Sequence, residues 1–260
     1  MTILQSIILG IVQGLTELLP ISSSAHLFLI PWAWNWTIPD SFEVALHFGT
    51  LLAIGLFFFK DWVQLIKGGY NQAVKKEKTA QGRMFWFIVI ATIPGGIIGF
   101  ILDKFAGDKL EKPLIIAIAL IVMGIILYLA DKYSESKTEY KDLTLKQTFL
   151  MGVLQCLAFI PGVSRSGITM STGRVLGVKR EATARFSFML SAPIVLMATV
   201  FKFKHFVFDM PFVIGVIASF IVGMLVIKFL LEYLKKGSFK IFAAYRLLIG
   251  LLVIGYILIK

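Results

Sequence analysis

The sequence predicts an all-α polytopic membrane protein: six transmembrane helices plus two re-entrant helix-break-helix pairs in an inverted-topology repeat. Three observations carry this expectation. Hydrophobic residues fill 58% of the 260 positions and the mean hydropathy is +0.85, well above the roughly 45–50% apolar content of a soluble domain. Six apolar stretches each approach the ~20 residues that cross a bilayer. Two polar segments, Gln13–His26 and Gln155–Thr169, interrupt otherwise apolar sequence and resemble each other.

The chain opens with an apolar region, 1–34, broken by Pro20 and its serines. Each part is too short to span, so a helix–break–helix that enters and leaves on one face is expected. Broken backbone at membrane depth is tolerated only where it is buried in protein or lines a wet cavity. Three spans follow, at 41–60, 84–102 and 113–130. Region 147–177, broken by Pro161, repeats the first device, and spans at 182–201, 211–231 and 241–259 complete the chain. Three spans are an odd number, so the second half starts from the opposite face, as in inverted repeats. One interval separates Gln13 from Gln155, Ser22 from Ser164, and Ser24 from Ser166. Glu43-x-x-x-His47-Phe48 matches Glu181-x-x-x-Arg185-Phe186 in the same order. The chain is expected to be one membrane domain, 1–260, with halves at about 1–131 and 147–260.

Composition narrows the function classes. Net charge is +11, but the basic residues lie in loops between apolar stretches, which points to lipid contact and a topology signal rather than to nucleic acid. Calling the face of the N-terminus side A, the side B loops 60–83, 131–146, 178–180 and 228–240 hold 16 of the 26 Lys and Arg. Side A holds Lys104, Lys109, Lys112, Lys202, Lys204 and Lys260. Positive charge marks the cytoplasm, so both termini are expected outside a cytoplasmic membrane. The N-terminus lacks the basic start and cleavage site of a secretory signal. A single cysteine, Cys156, allows no internal disulfide. Trp32, Trp34 and Trp36 read as an interfacial belt.

The breaks are where chemistry is expected. Serines favour helix N-caps, so Ser22, Ser23 and Ser24 would start a short helix whose N-terminus points into the membrane. Ser164 and Ser166 would do the same after Gly162, with Arg165 between them. A helix N-terminus is an anion site, and Arg suits bidentate phosphate binding. Two such ends converging at mid-membrane form a phosphate cradle, with Thr169 one turn further on. Glu17 adds a base, a serine beside it is a candidate nucleophile, and His26 is a candidate acid or serine-orienting group. Gln13 stands one turn before Glu17 on the same face, placed to hold a phosphate, a water or the carboxylate. No Cys/His metal spacing is present, so metal ligands are unassigned, with Glu17 a candidate.

These residues carry a family resemblance. Gln13-Gly-Leu-Thr-Glu17, then Leu19-Pro20-Ile21-Ser22-Ser23 and His26, and the complete Pro161-Gly162-Val163-Ser164-Arg165-Ser166-Gly167-Ile168-Thr169 are similar to the two motifs of the bacitracin-resistance family of undecaprenyl pyrophosphate phosphatases. The resemblance covers the whole chain. It implies hydrolysis of a C55 polyprenyl diphosphate to the monophosphate that carries cell-wall precursors, a divalent cation (Mg2+ or Ca2+), and a site open to the outer face. The first acidic position of the family motif is Gln13 here, which removes one possible carboxylate ligand. In this reading Ser23, His26 or water attacks the terminal phosphorus. Ser164, Arg165, Ser166 and Thr169 bind phosphate oxygens, and the lipid tail stays in hydrocarbon. Gly-rich spans permit a homodimer. The alternative is a transporter or flippase of the polyprenyl phosphate, since broken helices at mid-membrane are also transporter architecture. A pure transporter needs phosphate-binding groups but no nucleophile and base.

Overall fold

The structure is a computed structural model that describes residues 1–105 and 111–259. Among these residues it is all-helical, with one isolated bridge between Thr138 and Val178. The helices are α1 (Ile3–Thr16), α2 (Ser23–Trp34), α3 (Asp40–Phe57), α4 (Phe59–Tyr70), α5 (Ala80–Phe105), α6 (Pro113–Tyr133), α7 (Leu145–Leu154), α8 (Arg165–Val175), α9 (Arg180–Lys202), α10 (Met210–Leu234) and α11 (Lys240–Ile259). Lys104, Lys109 and Lys260 of the charge count lie outside the residues whose side chains are described.

Both proline-broken regions are helix–break–helix. α1 and α7 each open with the same device, a capping box of Thr2 with Gln5 and of Thr144 with Gln147, in which two helix-start donors find partners reciprocally. Helices α5, α6, α9, α10 and α11 are long and apolar enough to cross a membrane. The sixth expected span is not straight. α3 ends at Phe57, and its continuation α4 is bent away by 77°.

This corrects the expectation that 60–83 is a loop. Lys60, Asp61 and Lys67 made it read as one, but they ride on an amphipathic helix whose Leu65, Gly68 and Gly69 are buried. Gly68 lets two backbones touch: a Cβ there would lie 2.7 Å from the Gly82 amide nitrogen. α4 therefore packs back on α5 as a hairpin, closed by a π-helical turn at Asn71–Lys75.

Polarity is inverted relative to a water-soluble protein. The outer faces of α6, α10 and α11 expose Ile118, Val122 and Ile125, then Ile217, Ile221 and Leu225, then Leu248, Leu251 and Leu252. The interior holds Gln13, Glu17, Arg174 and Arg246. With lipid outside, association rests on close packing and internal polar bonds. Accordingly α10 sits in a slot between α1 and α3, where a Cβ on Gly10 would lie 2.6 Å from Gly215 O and one on Gly49 2.6 Å from Val216 O. α7 meets α5 in a similar way at Gly152 and Ala91, while α3 packs on α9 and α6 on α11.

Arg174 is a structural hub at the side B end. Its Nε donates to Asp131 Oδ1 (3.0 Å), and its two terminal nitrogens reach the carbonyls of Ser134, Glu135 and Val178 and the Ser136 hydroxyl. Asp131 also accepts from Arg180 Nε and the Phe239 amide. The cluster ties the 134–138 connection to α8 and to the start of α11.

Candidate active site

The two breaks share one backbone device. Ser22 (φ 77°, ψ 97°) caps α2 and Ser164 (φ 72°, ψ 116°) caps α8. A non-glycine residue at such φ is uncommon and costs of order 1–3 kcal/mol, which surrounding structure must offset. Each serine repays part of this as a cap, accepting from the Ala25 amide (3.4 Å) and the Gly167 amide (3.0 Å). Each also meets the next-but-one serine, Ser22 with Ser24 at 3.2 Å and Ser164 with Ser166 at 3.1 Å.

Two groups lock the breaks together. Ser166 Oγ donates to Leu19 O (3.0 Å). Arg246 of α11, fully buried, donates through Nη1 to Pro20 O (3.0 Å), through Nη2 to Gly162 O (2.6 Å) and Val163 O (3.0 Å), and through Nε to Leu120 O (3.3 Å). A single guanidinium thus satisfies carbonyls from both breaks that helix geometry leaves without partners.

Glu17 is the centre of the cluster. Its Oε2 accepts from Ser23 Oγ at 2.6 Å and from Gln13 Nε2 at 3.3 Å; its Oε1 accepts from Arg165 Nη2 at 2.6 Å. His47 Nδ1 lies 3.2 Å from Glu17 Oε2 and 2.8 Å from Gln13 Nε2. Arg165 is steadied by Ser187 O, at 3.1 Å from Nη1. Glu17 and Arg165 come from opposite halves of the chain, so neither half holds this cluster alone.

The cluster forms one wall of a cavity of about 280 Å³, near the small end of the usual range for ligand pockets. Glu17, Ser23, Ser24, Ser164, Arg165 and Ser166 line it, together with His47 and Gln155. It adjoins an apolar groove of about 390 Å³ between α5 and α9, with Gly96, Gly99 and Met197 along its walls and Lys202 at one end.

Several expected site residues sit elsewhere. His26 does not line the cavity: its Nδ1 donates to Ser22 O (2.7 Å), its Nε2 accepts from the Tyr245 hydroxyl (2.8 Å), and its ring stacks on Tyr245. Thr169 is fully buried, donating back to Arg165 O (2.8 Å) and meeting Ser187 Oγ at 2.7 Å, so it braces α8 against α9 instead of facing the cavity. Ser22 is spent as a cap, and Gln13 holds the carboxylate rather than a ligand.

Three residues beyond the expected set belong to the site: His47, Gln155 and Arg246. A signal existed for each. His47 and Arg246 are costly polar groups inside apolar stretches, which mark function by default, and Gln155 is the repeat partner of Gln13. Gln155 Nε2 donates to Ala91 O (2.9 Å) while its Oε1 is buried without a partner, a state costing about 1–3 kcal/mol.

The family model described as bacitracin resistance protein BacA matches residues 6–252. The chain is 47% identical to a protein of Pelotomaculum thermopropionicum over 98% of this chain and 96% of the relative. It is 43% identical to one of Moorella thermoacetica, over 98% of each. It is 44% identical to one of Caldicellulosiruptor bescii, over 100% of this chain and 99% of the relative. All three relatives bear the name undecaprenyl-diphosphatase.

Proposed function

The chain belongs to the bacitracin resistance protein BacA family, and on that premise we propose that it is an integral membrane phosphatase acting on undecaprenyl diphosphate. The products are undecaprenyl phosphate and inorganic phosphate, so the reaction returns the lipid carrier to peptidoglycan synthesis and supports bacitracin resistance. The observation that carries the reading is the Ser23 hydroxyl donating to the Glu17 carboxylate at 2.6 Å, with Arg165 on the other carboxylate oxygen, at the wall of a cavity joined to an apolar groove. A flippase needs phosphate-binding groups; it has no use for a hydroxyl poised on a carboxylate.

The chemistry follows from that contact. Ser23 Oγ attacks the terminal phosphorus as Glu17 takes its proton, so the serine needs no free alkoxide. The P–O bond to the lipid monophosphate breaks and that oxygen leaves with the electron pair. Arg165, turning one N–H from Glu17 to the phosphoryl oxygens, stabilises the charge that develops there. Ser24, Ser164 and Ser166 supply hydroxyls, and the amides at the starts of α2 and α8 supply partial positive charge. Glu17 passes the serine proton to the departing monophosphate and is a base again. In the second half, water attacks the phosphoserine, and Glu17 takes the water proton and returns it to Ser23 Oγ as the Oγ–P bond breaks and phosphate leaves. Gln13 and His47 hold the carboxylate in register. His26, through Ser22 O, and Thr169, through Ser187, keep the caps in place.

The donor set does not fit a resident divalent cation. Among the described residues no group of three or more His, Cys, Asp or Glu is arranged to hold one. The cavity has one carboxylate, and both of its oxygens are engaged. No step above is routed through a cation.

The placement in the membrane follows the same logic. The cavity and groove lie in the halves of α5 and α9 nearer Gly99 and Lys202, away from the Lys/Arg-rich connections. Positive loops mark the cytoplasm, which supports a site facing the outer side of the cytoplasmic membrane, with both termini outside. The matching breaks and the parallel packing of α1 on α10 and α7 on α5 support the inverted repeat of halves 1–131 and 147–260. The C55 tail lies along the α5–α9 groove and out into lipid while only the head group enters. A homodimer would use surfaces such as those at Gly55 and Gly255, where a Cβ would meet open space.

The test is phosphate release from C55 diphosphate by the purified protein, alongside Arg165→Ala and Glu17→Ala. Release lost in both variants supports the reading. No release by folded, substrate-binding wild type overturns it.

A further inference from the structure

Helix α4 presents a surface that neither the catalytic cavity nor the packing of the bundle uses. It follows α3 across a bend of 77°, and a helix at that angle to a span runs close to the membrane plane. Successive residues on a helix advance by about 100°, which divides α4 into three stripes. Leu65, Gly68 and Gly69 are buried, the glycines against Gly82 and Phe85 of α5. Phe59, Ile66 and Tyr70 form a second stripe and are 62%, 56% and 60% exposed. Lys60 and Lys67 each come one position after Phe59 and Ile66, so a basic stripe borders the apolar one. Lys75, Lys76 and Lys78 follow at its end. Leu52 and Leu56 of α3 are exposed as well, so the lipid-facing surface of α3 runs on into the apolar stripe of α4. An amphipathic helix divided in this way lies in the bilayer interface.

The charges of α4 differ from the other basic groups of side B. Lys137 pairs with Glu135, Lys141 and Lys179 with Glu139, Lys235 with Glu232, and Arg174 and Arg180 with Asp131. Segment 59–83 holds five lysines and Arg83 against two carboxylates. Both carboxylates are taken: Asp61 accepts from Arg185 of α9, and Glu77 accepts from Asn71 Nδ2 at 3.2 Å. The five lysines are exposed. An apolar stripe in the interface plane with a lysine border matches an acyl chain that ends in a negatively charged head group.

We propose that α4 is a docking site for anionic phospholipid in the side B leaflet. Lys60 and Lys67 hold the head-group phosphate, and the acyl chain lies on Phe59, Ile66 and Tyr70. None of these residues lines the catalytic cavity.

The test uses the full-length protein in nanodiscs of equal parts phosphatidylcholine and phosphatidylglycerol. Ile66→Cys, in a Cys156→Ser background, carries a nitrobenzoxadiazole fluorophore, and a doxyl quencher is placed on the acyl chain of one lipid or the other. Both quenchers are expected to act. Phosphatidylglycerol is expected to be enriched at the probe about fivefold in low salt, the preference that one lysine gains from an anionic surface, and less so in high salt, where charge is screened. Lys60→Gln with Lys67→Gln should bring the enrichment close to one while quenching persists, and Lys60→Arg with Lys67→Arg should keep it. Lys137→Gln with Lys235→Gln, which removes paired lysines, should leave it unchanged. No quenching by either lipid would overturn the proposal, since water or protein would then cover the stripe. Equal quenching by the two lipids in the wild-type background would overturn it by reducing α4 to bilayer contact without head-group recognition. Enrichment that survives Lys60→Gln with Lys67→Gln would overturn the assignment of those residues as the phosphate ligands.

Discussion

Replacing Arg246 with methionine would remove a side chain of α11 that bonds to both breaks. The guanidinium makes four hydrogen bonds to carbonyls of Pro20, Leu120, Gly162 and Val163, and none of it reaches the surface. A bond from a charged donor is worth ~1.5–3 kcal/mol net, so four give a gross loss of about 6–12 kcal/mol. Methionine recovers part of this, because burying the guanidinium itself costs several kcal/mol. Set against the gross loss, this leaves a net cost of about 3–5 kcal/mol. For a chain of this size that corresponds to a fall of about 6–20 °C in Tm, read from tryptophan fluorescence in detergent. Turnover is expected to fall about 100-fold, since a misplacement of ~1 Å between nucleophile and phosphate-binding groups costs that much. Arg246→Lys keeps the charge with fewer donors and should fall between the two. Arg246→Met with wild-type Tm and turnover would refute the argument that this residue aligns the breaks.

Three further outcomes follow from the same geometry. Ser164 sits at φ 72°, so Ser164→Ala loses the cap and keeps the strain, costing ~1 kcal/mol, whereas Ser164→Gly costs only a few tenths; thermal unfolding of the pair reads the difference. Thr169→Val removes a brace but no cavity group, so Tm should drop while KM stays within about twofold of wild type, because no substrate contact is lost. Gly96→Phe would fill the α5–α9 groove beside Met197; KM for C55 diphosphate should rise while a short-chain diphosphate is hydrolysed as before. Equal effects on long and short substrates would remove the groove from the account.

Much of this architecture is legible in the sequence because its rules are local. Pro20 and Pro161 cannot sit inside an uninterrupted helix, and their neighbouring serines cap the helices that follow. The long apolar stretches announce themselves by length. The failures come where tertiary contact decides. α4 looked like a charged loop, since its glycine contact with α5 leaves no trace in hydropathy. His26 stands near Ser23 in sequence, but three positions along a helix turn the side chain by about 60°, enough to send it to Tyr245. Thr169 looked like a phosphate ligand, yet its hydroxyl bonds back one turn to Arg165 O, a habit of threonine within helices. The Glu17–Arg165 pair and the role of Arg246 join residues far apart in the chain, which no periodicity encodes. The repeated interval between the two motifs is a long-range signal, and the structure brings those two segments into contact.

The most direct test of the central claim is the turnover of Ser23→Ala on C55 diphosphate, beside a Tm measurement showing that the fold is kept. The account predicts a loss of about 10³-fold or more, as for a nucleophile acting in concert with its base, with Tm close to wild type. Near-normal turnover by Ser23→Ala would contradict it and assign the attack to water.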